Sequence, residues 1–380
     1  MTSQRRPGGP DNDRLIGIEL LRFAAAFGVL VWHYQNFATV SVAERPFVME
    51  AQPLYWLLAP LYAYGNAGVE LFWCISGFIF TWKYLQPIRA GGVSFGHFLM
   101  LRFSRLYPLH LATLLLVAGL NAAYRARHGA YFIYPVNDLR HFLLNLGFAS
   151  QWGFQTDRSF NGPIWSVSVE VLVYFLFFGI SRIWRGAVWS DIAIALAASA
   201  LYGLLRKQMD IKLEVFGAVT FFYIGAATCH GYRWLESTQA TRQRLVAWAL
   251  LAVAVATCTL LAAHVLKIAG ASLVLFPAAI LLVQLTVRPR TPWLVSVIAG
   301  FGNLTYASYL IHFPLQIAMI LLLENRGLVI SDWFYGPLLL PAYLALVLGL
   351  SVPVYQGFER PAQSWLRGLG RRPSSQPGKT

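Results

Sequence analysis

Ten predominantly apolar runs, each about as long as a bilayer-spanning helix, recur along this chain at 15–37, 65–84, 106–124, 164–183, 187–204, 213–231, 244–263, 270–287, 301–323 and 335–357. Crossing a hydrocarbon core takes about 20 helical residues, because lipid offers no partner for an unsatisfied backbone N–H or C=O. The expected fold class is therefore all-α, a polytopic transmembrane helical bundle of about ten spans. Composition agrees: 57% of the 380 residues are hydrophobic and 12% are charged, against about a quarter charged in a soluble domain. The formal charge of +14 bears first on orientation. With the N-terminus inside, 19 of the 30 lysines and arginines fall on inner segments, from Arg5 and Arg6 to Lys379, and Arg22 lies within a span. By the positive-inside rule both termini are expected in the cytoplasm.

Three segments are expected: a cytoplasmic tail over 1–14, one membrane domain over 15–358, and a cytoplasmic, disordered tail over 359–380 that ends rich in Arg, Pro, Ser and Gly. The first apolar run holds Glu19 and Arg22 and lacks a small-residue cleavage signal, so it reads as an uncleaved span. No basic, aromatic-laced run sits in a polar segment large enough for a nucleic-acid module, and that partner is set aside. Cys74, Cys229 and Cys258 lie in apolar stretches without C-x-x-C spacing, which implies neither a disulfide nor a metal site. The absence of H-E-x-x-H, G-x-S-x-G and a glycine-rich phosphate loop removes the soluble hydrolase and nucleotide-binding templates.

The chemistry is expected where polar residues interrupt these runs, since an ion inside a membrane is a functional-site hypothesis with a partner to be named. The first run carries Glu19, Arg22 and His33. Eleven residues at 100° each bring Arg22 and His33 to within about 20° of one helix face, about 16 Å apart along the axis, and Glu19 lies one turn before Arg22. In RFSRLYPLH, Arg102 and Arg105 sit at i and i+3 where the third span begins, so two guanidiniums share a face and suit phosphate oxygens. Pro108 fits an early position in that span. Glu170 lies about two turns inside the fourth span, and His33 or Arg22 is its expected partner. Glu70 stands near the outer end of the second span, where Ser76-Gly77 reads as helix packing. Pro314 cannot donate to the Leu310 carbonyl and is expected to loosen the helix around His312, a second imidazole for a polar cavity. The connection 125–163 carries Tyr131, Phe132, Tyr134 and Trp152, suited to a sugar or to the membrane interface, and an apolar stretch, 139–148, too short to span.

A membrane-embedded imidazole with a carboxylate suits general-base activation of a hydroxyl, or acceptance of an acyl group. Arginines displaced along the same helix suit the phosphates of a long anionic donor such as an acyl-coenzyme A. In these features the chain resembles the acyltransferase-3 family of integral membrane acyltransferases, which includes bacterial O-antigen and exopolysaccharide O-acetyltransferases. The resemblance rests on Arg22 and His33 as R-x10-H, GVELFWCISGF, the arginine pair of RFSRLYP, WSVSVEVLVYF and LTYASYLIHFP, in that order across residues 14 to 360. It implies an enzyme of the bacterial cytoplasmic membrane; some members add a periplasmic esterase domain after the last spans, and the stand-alone type is expected here because this chain is too short to hold one. Such an enzyme takes an acyl group, usually acetyl, from cytoplasmic acyl-CoA as co-substrate, with no permanently bound cofactor, to a carbohydrate hydroxyl on the far side. His33 and Arg22 carry over as essential, Arg102 and Arg105 as donor-binding or structural, and Glu170 as the functional carboxylate. Glu70 and His312 join them as candidate substrate-binding residues. The alternative from another class is a transporter or flippase, with Arg22, His33, Glu170 and His312 as an intramembrane relay, although no symmetry relates spans one to five and six to ten.

Overall fold

The computed structural model describes residues 15–41, 47–155, 157–183, 186–209, 213–289 and 291–369. The tail expected over 1–14, the residues after 369 and several basic residues used for orientation, including Arg5, Arg6 and Lys379, lie outside the described residues. Among those described the chain is helical throughout, without strands. Its longer helices are α1 Ile16–His33, α2 Tyr55–Tyr64, α3 Gly68–Lys83, α4 Phe95–His128, α5 Leu139–Leu146, α6 Trp165–Ile183, α7 Val188–Met209, α8 Glu214–Glu236, α9 Ala240–Ala262, α10 Ile268–Thr286, α11 Pro292–Glu324, α12 Leu339–Val354 and α13 Arg360–Leu369.

Eight helical segments are long and apolar enough to cross a membrane: Ile16–Phe37, Phe95–His128, Gly162–Ile183, Val188–Lys207, Ala240–Ala262, Ile268–Thr286, Pro292–Glu324 and Leu339–Leu369. The other two of the ten expected spans also form helices. However, α3 has 16 residues and α8 bears Glu214, Arg233 and Glu236 near its ends. At 1.5 Å per residue α3 is about 24 Å long, short of a full hydrocarbon core. These two pack together where each offers a glycine. A Cβ on Gly77 would meet the Phe222 carbonyl oxygen at 1.7 Å, and one on Gly225 would meet that of Cys74 at 1.8 Å. Small residues at such a crossing let helix backbones approach closely. At the periphery α9 is apolar yet buries only Thr257. An apolar surface of this size facing outward belongs in lipid, and the protein is a polytopic membrane protein.

The first helix is the central one. It packs against α2, α3, α10 and α11, and it buries Ile18, Ala25, Ala26, Val29, Leu30, Val31 and His33 along its length. Around Phe80 of α3 an aromatic cluster joins four helices: the Tyr174 ring stacks at 4.6 Å, with Phe98 at 5.7 Å, Phe177 at 5.6 Å and Phe222 at 5.7 Å. This cluster fixes the facing sides of α3, α4 and α6, the helices that bear Ser76, Arg102 and Glu170.

Three boundaries differ from the sequence expectation. The third span begins at Phe95, eleven residues before 106, because the Ser94 hydroxyl caps it by accepting from the His97 N–H at 3.2 Å. Pro108 is thus interior to α4. The ninth begins at Pro292, a first-turn position that needs no N–H donor. The tail expected to start at 359 is ordered up to Leu369. A π turn, Tyr355–Glu359, carries α12 into α13, which packs on α4 with the Arg367 Nε donating to the Ser104 hydroxyl at 3.3 Å. Glu359 is buried at the junction, and these contacts give the segment the burial that its composition alone does not promise.

Candidate functional site

Arg22 of α1, Ser76 and Phe80 of α3, Arg102 and Arg105 of α4, Ser166, Glu170 and Tyr174 of α6, and Thr305, Tyr306 and Tyr309 of α11 line one cavity of about 840 Å³, part of which is open to solvent. Four of the candidates from sequence, Arg22, Arg102, Arg105 and Glu170, therefore share a wall. The Arg22 guanidinium donates to Glu19 at 2.9 Å, as the i,i+3 spacing implies, and to the Thr305 hydroxyl at 3.1 Å. Glu19 has room because α11 presents a glycine: a Cβ on Gly302 would stand 1.9 Å from the Glu19 Oε2. Arg102 donates to the Tyr84 hydroxyl at 2.5 Å and lies over the Phe80 and Tyr84 rings at 5.0 and 5.1 Å. Arg105 makes no hydrogen bond or salt bridge among the described residues although it lines the cavity. A guanidinium in that state is an open anion receptor.

Glu170 is not the partner of His33. Its Oε1 accepts from the Ser76 hydroxyl at 2.5 Å and from the Tyr174 hydroxyl at 2.7 Å. Tyr174 is its i+4 neighbour and Ser76 faces it across the α3–α6 interface, so the carboxylate is satisfied locally. Ser76 is accordingly more than the packing residue its pairing with Gly77 indicates. The spacing E-x-x-x-Y was the one available signal for Tyr174, whereas Ser76 and Thr305 enter only through the crossing of distant helices.

His33 lies about 16 Å further along the same unbroken helix. Its Nδ1 is 2.9 Å from the Val29 carbonyl. A carbonyl only accepts, so Nδ1 carries the proton and the neutral ring keeps its Nε2 lone pair free. The His312 ring packs at 4.7 Å, centroid to centroid. His312 is fully buried, and neither of its ring nitrogens has a well-formed hydrogen bond. The helix does not open at Pro314: α11 runs through it, and the Leu310 carbonyl that proline leaves without a donor accepts from the Asn161 side chain at 3.0 Å. Tyr309 connects the two centres. It lines the cavity, its hydroxyl pairs with Ser166 at 2.8 Å and donates to the Pro163 carbonyl at 2.7 Å, and its ring is 5.8 Å from His312. The imidazole pair thus stands directly behind the cavity's Tyr309 wall.

Glu70 joins neither centre. It is absent from the cavity lining although its neighbours Val69, Phe72 and Trp73 are present. The aromatics of the 125–163 connection pack mostly inward: Phe132 and Tyr134 lie 5.5 and 5.3 Å from Phe313, and the Trp152 indole N–H donates to the Ser168 carbonyl at 2.8 Å. Arg158, which sequence alone does not single out, lies over Trp165 at 4.4 Å.

A family model described as an acyltransferase domain, that of the acyltransferase-3 family, matches residues 15–356. The chain belongs to this family. Similar proteins include "Protein 2 in picA locus" of Rhizobium radiobacter, 30% identical over 155 residues, which span 35% of this chain and 73% of that relative. No solved structure matches the chain. Membership makes this acyltransferase-3 protein a membrane acyltransferase, and the matched region holds both the arginine-lined cavity and the histidine pair.

Proposed function

We propose that the protein is an O-acyltransferase that moves an acetyl or other short acyl group from acyl-coenzyme A to a hydroxyl of a cell-surface or lipid-linked carbohydrate, in the bacterial cytoplasmic membrane with both termini inside. The observation that carries this reading is that one continuous helix holds Arg22 on an arginine-lined cavity and His33, with a free imidazole nitrogen, about 16 Å beyond it. An acyl-CoA has its phosphates at one end of a flexible arm and its thioester at the other. Arg22, Arg102 and Arg105 hold the phosphates, and the arm runs past Tyr309 toward the imidazoles. His33 Nε2 takes the proton of the acceptor hydroxyl as that oxygen attacks the thioester carbonyl. The C–S bond then breaks, and the proton is returned to the departing thiolate. If His33 is itself the transient acyl carrier, the same nitrogen attacks the thioester carbonyl and the C–S bond breaks with the thiolate leaving; the acceptor hydroxyl then takes the acyl group from the imidazole, and its proton passes to the thiolate. His312 packs against the His33 ring and fixes its plane. Glu170, held by Ser76 and Tyr174, sets the shape and charge of the donor cavity, a role distinct from orienting His33.

Acetyl-CoA binding by the detergent-purified protein, followed by time-dependent release of free thiol, tests the proposal. Arg22→Ala and Arg105→Ala are expected to weaken binding, and His33→Ala to abolish thiol release while the protein still inserts and binds donor. Release that persists in His33→Ala removes the imidazole from the chemistry. Folded wild-type protein that neither binds the donor nor releases thiol overturns the donor assignment.

A further inference from the structure

The last described helix, α13, brings one more cation beside Arg102 and Arg105, behind the residues that line the cavity. Ser104 of α4, buried between Arg102 and Arg105, accepts from the Arg367 side chain of α13 at 3.3 Å. Arg102 and Arg105 both act on Arg367 as like charges. None of the three guanidiniums has a salt bridge among the described residues, and the Nε of Arg102 is buried without a hydrogen bond. The nearby carboxylates offset only part of this charge: Glu359 acts on Arg105 and Arg22 with its Oε2 buried and unbonded, Glu170 acts on Arg22 while accepting from Ser76 and Tyr174, and no carboxylate bonds Arg102 or Arg367 among the described residues. Arg102 and Arg105 on adjacent turns of α4, with Arg367 of α13 brought to Ser104 between them, carry more positive charge than Glu359 offsets and repel one another unless an anion enters among them. The π turn at Tyr355–Glu359 matters here: the extra residue per turn rotates everything after it, and π turns recur at functional sites. It sets α13 against α4 with Arg367 at Ser104.

We infer that Arg367 completes an anion site with Arg102 and Arg105 and binds a phosphate group of the acyl donor, so that α13 is part of the donor site. The inference rests on the acyl-CoA reading above and adds a ligand that the motifs of α1 and α4 do not contain. Exposed Trp365 and Leu369 on α13 also bring a second source of phosphate, lipid headgroups, within reach of the same chemistry.

The test is equilibrium binding of coenzyme A and of S-acetyl-pantetheine, which lacks phosphate, to the full-length protein in phosphatidylcholine nanodiscs with and without phosphatidylglycerol. Arg367→Gln is expected to weaken coenzyme A binding by about tenfold or more, the effect of losing a hydrogen bond to a charged group. S-acetyl-pantetheine binding should be unchanged, and Arg367→Lys should recover part of the loss. If Arg367→Gln binds coenzyme A like wild type while Arg105→Gln does not, the proposal is overturned and the acyl-CoA reading stands. If wild type binds no coenzyme A, both fall together. If Arg367→Gln lowers only the competition from phosphatidylglycerol, the site belongs to a lipid headgroup and the donor assignment is overturned. Equal loss of both ligands in Arg367→Gln and Arg367→Lys marks Arg367 as structural and also overturns it.

Discussion

Gly302→Ala isolates the contribution of the Glu19–Arg22 pair without touching either residue. The added Cβ would stand 1.9 Å from the Glu19 Oε2, 2.8 Å from its carboxyl carbon and 2.7 Å from its Cβ. Ordinary contact begins near 3.4 Å, so the whole Glu19 side chain must shift by about 1 Å or more, and the 2.9 Å bond to Arg22 does not survive that in its present form. Losing a partly buried charge-assisted hydrogen bond amounts to about 2 kcal/mol, or roughly thirtyfold in an equilibrium constant, and overpacking adds about 1–3 kcal/mol of destabilisation. Gly300, two residues earlier on the same helix, has open space at its Cβ position. Gly300→Ala is therefore a matched control, expected to be neutral or slightly stabilising because alanine restricts the unfolded chain. The assay is thiol release against acetyl-CoA concentration, beside thermal unfolding in detergent. Gly302→Ala should raise the donor requirement by about an order of magnitude or more and lower the midpoint, whereas Gly300→Ala should do neither. Identical donor curves for the two variants would refute the view that Glu19 positions Arg22 for the donor.

Two further outcomes follow from polar pairs near the site. Asn161→Leu should destabilise the protein by about 1–3 kcal/mol by leaving the Leu310 carbonyl unsatisfied, and adding Pro314→Ala, which restores an N–H to that carbonyl, should recover most of the loss in a thermal double-mutant cycle; simple additivity would contradict the pairing. Asp138 caps α5 by accepting from the His141 backbone N–H at 2.9 Å and its ring at 2.7 Å, which holds the carboxyl below its ordinary range. The unfolded value lies higher, near 4, so the cap's contribution is fully present above about pH 4 and is lost as pH falls through the depressed folded value. Hydrogen exchange over 139–146 should accelerate on that descent in the wild type relative to Asp138→Asn; parallel profiles would remove Asp138 as the cause.

What could be read from the chain and what could not divide along the range of the interaction. The Glu19–Arg22 bond, the shared face of Arg102 and Arg105, and the alignment of Arg22 with His33 are helical-period facts, and each is local to one segment. Glu170 shares a cavity with Arg22, one of its two expected partners, but not with His33, and its hydrogen bonds come from Ser76 and Tyr174 instead. The partner depends on which helix crosses α6 there, and Ser76 comes from 94 residues away. His33 and His312 each stood out as intramembrane imidazoles, yet their contact spans two helices whose pairing no single-sequence period encodes. The helix ends failed for a different reason. Ser94 and the π turn extend α4 and α12 through polar sequence that an apolar-run criterion discards.

The unbroken course of α1 through both centres has a consequence for donor choice. On the proposed acyl-CoA reading, a rigid rod carries the phosphate-holding group at one point and the imidazole at another, so the enzyme would gauge the length of its donor before it inspects the acyl group. A thioester on a shorter arm would satisfy the guanidiniums or meet the histidine, but not both at once, and neither centre could relax toward the other without displacing the helix around which the whole bundle is packed.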